Sequence, residues 1–240
     1  MDTKTQILDA AERLFAEKGY EASSLRAITS EAGVNLAAIN YHFRSKESLV
    51  RAVLARRLGP MNAKRLALLD ECERAAQNGP VPLESLVRAF ILPVLFIDRE
   101  AGRQGPAYGM LLGRMFAEPS ASVRQMCAEQ VKVEASRFKE AFGRVLPDVP
   151  PDEILWRLFF SIGIVLHMLQ AAPMLEVISG KAIDLQDTTG ITNRIVNFIV
   201  AGMQAPLRQT HSARGRKHSR PGRHYRYGTK GHAAKVHSAS

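Results

Sequence analysis

The sequence predicts an all-α fold of about nine helices, and three observations lead there. Apolar residues recur at spacings of three and four through most of the chain. No segment shows the strict alternation of a half-buried strand. The strong breakers, Gly19, Gly33, Asn78-Gly79-Pro80-Val81-Pro82 and the turn at 146–151, fall at intervals that suit helices. The 240 residues are 46% hydrophobic and 23% charged, a balance that supports a packed core.

Residues 3–18 read as the first helix. Ile7, Ala11, Leu14 and Phe15 share one face, Lys4, Glu12 and Lys18 lie off it, and Gly19 stops it. Thr3 and Gln6 stand at capping-box spacing. Ser24 is placed to cap a short helix over 25–32, which Gly33 breaks, and Asn35 a second over 36–43. Ser45 then caps a long helix from Lys46 to about Glu73. After the Asn-Gly-Pro breaker, Leu83, Leu86, Val87, Phe90, Ile91 and Val94 mark a fifth helix, with Pro93 expected to kink it. A sixth is expected near 106–117 and a seventh over 120–145. The eighth opens after Pro151 with Asp152 and Glu153 in its first turn, where acids suit the helix dipole. The ninth covers 188–203. The uncharged run 158–175 approaches membrane-spanning length, but Ser161, His167, Gln170 and Pro173 interrupt it and Arg157 precedes it. It reads as a helix buried inside protein, with no membrane partner.

Charge is unevenly distributed. Of 33 basic residues nine lie in 207–240, which has no acid, leaving 24 against 23 acidic residues in the rest. That tail, with five histidines and few large apolar groups, reads as disordered. Three roles stay open for it: a solvated appendage, a contact with a membrane surface, or an arm that binds polyanions such as nucleic acid without sequence preference, the last being favoured. The chain divides on this reading into 1–58, 59–206 and 207–240.

Several function classes fall away. Cys72 and Cys127 are too few and too far apart for a disulfide framework or a cysteine metal site, and suit a reducing cytoplasm. The N-terminus has early acids and no apolar core of a secretory signal. No Gly-x-Gly-x-x-Gly, P-loop, His-Glu-x-x-His or Gly-x-Ser-x-Gly occurs, so an α-helical enzyme is disfavoured and no metal or cofactor is expected.

The informative stretch is LRAITSEAGVNLAAINYHFRSK, residues 25–46. Two short helices joined at Ala32-Gly33-Val34-Asn35 make a helix-turn-helix. Leu25, Ile28, Ala32, Val34, Ile39 and Phe43 lock the pair inward. The outer face of the second helix is left free to enter a major groove, which admits one α-helix. Together with Ile-Leu-Asp-Ala-Ala at 7–11, Leu14-Phe15, Gly19-Tyr20 and Tyr41-His42-Phe43 followed by Ser45-Lys46-Glu47 and Leu49, this resembles the DNA-binding domain of the TetR family of bacterial transcriptional repressors over about residues 3–55. The resemblance implies DNA contacts at Arg26, Asn35, Leu36, Ala37, Ala38, Asn40, Tyr41, His42 and Lys46. Asn40 departs from the aromatic residue usual there, which points to a base contact in place of a phosphate contact. The remainder is similar to the fatty-acid-responsive, PsrA-type subgroup in Leu58-Gly59-Pro60, Leu111-Leu112-Gly113 with Phe116, and the apolar run 156–168.

These resemblances imply a repressor that leaves a palindromic operator when a small apolar effector, in that subgroup a fatty acid or acyl-CoA, binds between central helices. Phe90, Val94, Leu112, Met115, Phe116, Phe159, Ile162, Leu166, His167 and Met168 are the candidate lining, with plain core as the alternative for each. Arg114 is a candidate for an acid headgroup or for a surface ion pair. Gly105, Gly109 and Gly113, spaced by four, suit close helix approach or a softened segment. The last two long helices, through Ile154, Leu158, Ile195, Phe198, Ile199 and Met203, are expected to form a homodimer interface. One short recognition helix makes few contacts; two on one body, about 34–36 Å apart, read a palindrome together. A DNA-binding regulator without an effector remains the alternative.

Overall fold

The computed structural model of the chain describes residues 2–77, 79–96, 111, 113–114, 118 and 120–207. Residues 1–206 form one unit and 207–240 another, of which only Leu207 is described, so the expectations for the basic tail lie outside the described residues. The described residues form eight helices and no strand: α1 (Thr3–Ala22), α2 (Leu25–Ala32), α3 (Leu36–His42), α4 (Lys46–Ala75), α5 (Leu83–Leu95), α6 (Ala121–Val145), α7 (Pro151–Ile178) and α8 (Thr188–Gln204). The all-α class holds. The helix expected near 106–117 lies outside the described residues, except for Leu111, Gly113 and Arg114, which are helical.

Local signals account for most ends. The Ser24, Asn35 and Ser45 side chains accept hydrogen bonds from the backbone amides of Ala27, Ala38 and Ser48 at 3.0–3.1 Å, as their residue types predict. The start of α1 differs. Asp2, not Thr3, is the cap; it makes no side-chain cap, and its carbonyl takes the Gln6 amide at 3.0 Å, so the expected Thr3–Gln6 capping box does not form. Gly19 breaks α1 at φ +80°, where a side chain would be strained, and one more turn follows to Ala22. The Ser23 hydroxyl donates to the carbonyls of Gly19 at 2.7 Å and Leu14 at 3.0 Å.

One continuous apolar core carries the unit, with a cluster at each end. Ile7, Phe15, Ile28, Ile39, Leu49 and Leu54 close the N-terminal helices around α1, each essentially without exposure. Phe138 and Phe142 of α6 meet Phe90 of α5, with ring centroids 4.9 and 6.3 Å from Phe90. Removing such side chains from water stabilises by about 1.5–3 kcal/mol each. Helix α4 belongs to both clusters. It packs on α1 at its start and on α5 and α6 beyond. Arg56–Asp9 (2.5 Å) and Arg57–Glu12 fasten it to α1, while Asn62 donates to the Gln130 carbonyl at 2.8 Å and Arg137 of α6 pairs with Asp70 at 2.8 Å. The boundary expected at residue 58 falls inside α4, which is continuous across it.

Helix α7 packs one face on α5, α6 and α8. The expectation that it is buried within protein holds for that face only. Trp156, Phe159, Phe160 and Met174 are exposed in the single chain, as is Phe198 of α8. By length and apolarity α7 is also long enough to cross a membrane. The residues expected at the dimer interface divide. Phe198 is 69% exposed, but Ile154, Leu158, Ile195, Ile199 and Met203 are at most 6% exposed and sit in the chain's own core. Both faces of these helices are apolar, so helical spacing alone does not say which face turns inward. Buried Arg157 fixes the choice: it donates its Nε to the Glu153 carboxylate at 2.9 Å and its other nitrogens to the carbonyls of Met203 (2.6 Å) and Ala205 (2.9 Å), capping the open end of α8.

Truncating the hub of the second cluster, Phe138→Ala, should lower unfolding free energy by about 3–5 kcal/mol. Urea titration followed by circular dichroism measures this, and a loss below about 1 kcal/mol would contradict the assigned packing.

Candidate functional site

The turn between α2 and α3 is built by backbone geometry. Gly33 takes φ +67°, ψ 30°, its amide bonds back to the carbonyls of Ser30 and Thr29, and the Val34 amide reaches the Thr29 carbonyl at 3.0 Å. This left-handed cap ends α2, and α3 starts three residues later. Within α3 only Ile39 is fully buried, joined by Phe43 just beyond. A seven-residue helix held by so narrow a stripe keeps most of its surface in solvent.

The nine candidate contacts fall accordingly. Arg26, Asn35, Leu36, Ala37, Asn40 and Tyr41 are exposed, Tyr41 at 84%, and Ala38, His42 and Lys46 are half-buried. Positions 36 and 40, and 37 and 41, are one turn apart and share a face. Small Ala37 beside Asn40 lets a partner approach the helix closely, and Asn40 presents both a donor and an acceptor. Asn35 has its oxygen committed to the cap of α3. The Tyr41 ring meets His42 edge-on at 5.0 Å.

Lys46 is held by its own domain. Its Nζ lies 4.2 Å from the centre of the Tyr20 ring and donates to the Glu21 carbonyl at 3.5 Å. Tyr20 in turn donates its hydroxyl to Glu47 at 3.3 Å and its backbone amide to Glu118 at 3.2 Å. Burial, then the neighbouring Glu47 carboxylate, push the Tyr20 phenol up to about 12. Hydrogen bonds from its own backbone amide and from Ser45 hold the Glu47 carboxyl below the usual range. The cation at the start of α4 is therefore positioned from α1, and Glu118, far along the chain, touches the same point.

Farther along α4 a cavity of about 240 Å³ opens between α4, α5, α6 and α7. Leu58, Met61 and Arg65 line it from α4, Phe90 and Val94 from α5, Val131, Glu134 and Ala135 from α6, and Leu155, Leu158, Phe159, Ile162, Gly163 and Leu166 from α7. Phe90, Val94, Phe159, Ile162 and Leu166 of the candidate lining are thus brought together. His167 is exposed and off this wall; one residue past Leu166, the helix has turned it to solvent. Met168 lines a different space, a cleft of about 610 Å³ whose wall includes exposed Ile183, Asp184, Asp187, Arg194 and Phe198, which makes it a surface groove. Leu112, Met115 and Phe116 lie outside the described residues. Arg114 is exposed beside Gly19 and absent from the cavity wall. A Cβ at Gly113 would meet only the movable end of the Gln170 side chain of α7, so this contact does not choose between close helix approach and a softened segment, and Gly105 and Gly109 lie outside the described residues. The wall residues that helical patterning missed are Arg65 and Glu134. Each interrupts an apolar stripe, Leu58-Met61-Arg65 and Val131-Glu134-Phe138, and that interruption was the available signal.

Comparison with known proteins adds an independent line. Residues 7–53 match the family described as bacterial regulatory proteins, tetR family, and residues 88–202 match the tetracyclin repressor-like C-terminal domain. The HTH-type transcriptional repressor KstR of Rhodococcus jostii is 30% identical over 161 residues, covering 62% of this chain and 69% of that protein. The regulator UidR of Escherichia coli K12 is 23% identical over 153 residues, 61% and 71% of the two chains. Among solved structures, the fatty acid degradation regulator FadR of Bacillus halodurans superposes with TM-score 0.56 at 16% identity over 86% of this chain and 98% of the other. FadR of Bacillus subtilis, in complex with stearoyl-CoA, gives 0.56 at 18% over 82% and 98%. At such identities the structural likeness speaks for the fold.

The Tyr20 environment is directly measurable. Its raised pKa means a stability contribution present below the unfolded value of about 10 and lost as pH rises through about 12. Ultraviolet titration at 295 nm should show one phenol ionising near 12 that vanishes in Tyr20→Phe; the same late transition in that variant would refute the assignment.

Proposed function

The chain belongs to the TetR family of bacterial transcriptional regulators, and on that premise we propose that it is a homodimeric cytoplasmic repressor, gripping a palindromic operator with two copies of α3 and released by a small apolar effector held between α4, α5, α6 and α7. The observation that carries this is the course of α4. One helix begins at Lys46, against the candidate DNA face, and reaches the cavity wall at Leu58, Met61 and Arg65. Nineteen residues separate Lys46 from Arg65, about 28 Å at the α-helical rise. A molecule that spreads the cavity displaces the same rod that carries the helix-turn-helix.

Direct readout falls to the exposed face of α3, with Asn40 at base edges and Ala37 allowing approach. Arg26, Tyr41, His42 and Lys46 supply phosphate contacts, Lys46 by turning its Nζ from the Glu21 carbonyl to the backbone of the duplex. The second copy is placed on the open apolar face of α7, at Trp156, Phe159, Phe160 and Met174, joined by Phe198 of α8. An exposed apolar surface of that extent on two adjacent helices favours a protein partner. The effector acts by population shift: it prefers a conformer whose recognition helices no longer match successive grooves, and effector and operator weaken each other equally. The cavity, at about 240 Å³, lies below the range of about 300–1,000 Å³ typical of drug-sized ligands, which favours a small effector over a long acyl-CoA.

Selection of fragments from sheared genomic DNA, followed by anisotropy titration, tests the reading. Retained fragments should share an inverted repeat with half-sites about 10 bp apart. Asn40→Ala should flatten the preference between operator and point-mutated operator, whereas Lys46→Ala should weaken all duplexes alike and lower the salt slope by about 1. Fragments no richer than background, or two variants that lose affinity with preference intact, would defeat it.

A further inference from the structure

Where α1 breaks, its last turn is held by a residue far along the chain. Gly19 leaves the helical path at φ +80° and ψ 171°. The Tyr20 amide that follows donates to Glu118 Oε2 at 3.2 Å. Both residues are buried, Tyr20 at 5% and Glu118 at 6% exposure. A carboxylate is a strong acceptor for an amide released by a helix, and a buried amide left unmatched is costly, so this contact fixes where Tyr20 stands. Glu118 is itself anchored: the Arg124 guanidinium of α6 donates to its carbonyl at 3.1 Å. Helix α6 also walls the cavity, through Val131, Glu134 and Ala135. On its other side Tyr20 carries Lys46, whose Nζ lies 4.2 Å from the ring centre, and it donates its hydroxyl to Glu47 at 3.3 Å. A continuous set of contacts thus runs from α6 through Glu118 and Tyr20 to the cation at the start of α4.

The geometry points to Glu118 as a positioning residue for DNA binding: a side chain from the cavity half that sets the Tyr20 ring and, through it, the Lys46 cation at the candidate DNA face. The inference rests on the reading above that Lys46 meets a phosphate. Lysine carries its charge on a flexible four-carbon stem, and holding that stem against a ring removes most of its conformers before a duplex arrives. Position, not charge, is what Glu118 supplies. Its oxygen meets a backbone amide, a role that an amide oxygen of the same reach also fills. A negative charge contributes nothing favourable of its own to a surface that must meet phosphates. Because a phosphate contact carries no sequence information, Glu118 acts on affinity for every duplex alike.

Anisotropy titrations of the full-length protein with an operator duplex and an unrelated duplex test this. Glu118→Ala should weaken both by the same factor, about two- to fivefold, the range for a cation held on an aromatic face, and by no more than Lys46→Ala does. In a Lys46→Ala background the same change should cost nothing further, since a residue that acts through Lys46 then has nothing to position. Glu118→Gln, which keeps an acceptor at the same reach, should bind both duplexes as the unmodified chain does. Should Glu118→Ala not fold, Glu118→Asp carries the comparison: it withdraws the carboxylate by one methylene and should weaken both duplexes, again only where Lys46 is present. A folded Glu118→Ala or Glu118→Asp chain with unchanged affinity, a loss confined to the operator, a loss as large without Lys46 as with it, or a loss in Glu118→Gln equal to that in Glu118→Ala overturns the proposal alone. A Lys46→Ala chain that binds both duplexes as well as the unmodified one overturns the phosphate reading of Lys46 and the proposal with it.

Discussion

Helix α4 has to satisfy two environments at once, and most of the molecule is arranged around that demand. Its first turns close the core beneath the helix-turn-helix through Leu49, Val50, Val53 and Leu54, while Leu58 and Met61 face the cavity. A rod of 30 residues, about 45 Å long, cannot move at one end and stay still at the other unless it bends. Pro60, following Gly59, is the point at which bending is cheapest, since proline removes a backbone hydrogen bond and glycine adds freedom. The two ends are tied differently. Arg56 and Arg57 bind α4 to α1 ahead of that point, where Arg51 also pairs with Glu129 of α6 at 2.5 Å, and Asn62, Asp70 and Glu73 bind it to α6 after it. On the mechanism proposed above, a displacement imposed by α5, α6 or α7 reaches α1, α2 and α3 through these ties.

A further tie between the cavity half and the helix-turn-helix is Glu118, which accepts the Tyr20 amide just past the break at Gly19 and whose own carbonyl is held by Arg124 at 3.1 Å. Tyr20 also carries Lys46 on its ring. A glycine with positive φ, an aromatic platform and a carboxylate from the far half thus converge where α1 ends and α4 begins. The arrangement gives the Gly-Tyr pair a structural reason beyond sequence pattern. Only glycine takes that backbone turn without strain, and the tyrosine then stands where it can position the cation.

What the sequence made legible was local. Ser24, Asn35, Ser45 and Gly33 act on backbone groups within three or four residues, so the helix-turn-helix could be placed from its caps and turn alone. The α1 start failed for the same reason in reverse: Asp2 and Thr3 compete for one role, and spacing does not choose between them. The orientation of α7 and α8 was not legible. Both have apolar residues on two faces, and what decides is Arg157, whose buried bonds to Met203 and Ala205 depend on a partner 46 residues away. Arg65 and Glu134 escaped notice because each looks like an ordinary surface charge until α4 and α6 are brought together. The cavity lining was half legible: Phe90, Val94, Phe159, Ile162 and Leu166 follow one helical stripe per element, whereas His167 is displaced from it by the rotation of a single residue.

Regulation by an effector requires that α4 transmit occupancy of the cavity to α3. Spin labels at Ala37→Cys, in a Cys72→Ser background that leaves only buried Cys127, report the distance between the two α3 helices of a dimer by pulsed electron resonance. Without ligand the distribution should centre near the groove repeat of about 34–36 Å. Saturation with the neutral apolar probe N-phenyl-1-naphthylamine, its binding checked by calorimetry on the same sample, should move that centre by several ångströms. Ligand bound with the distance unmoved would contradict the claim that one helix couples the two sites.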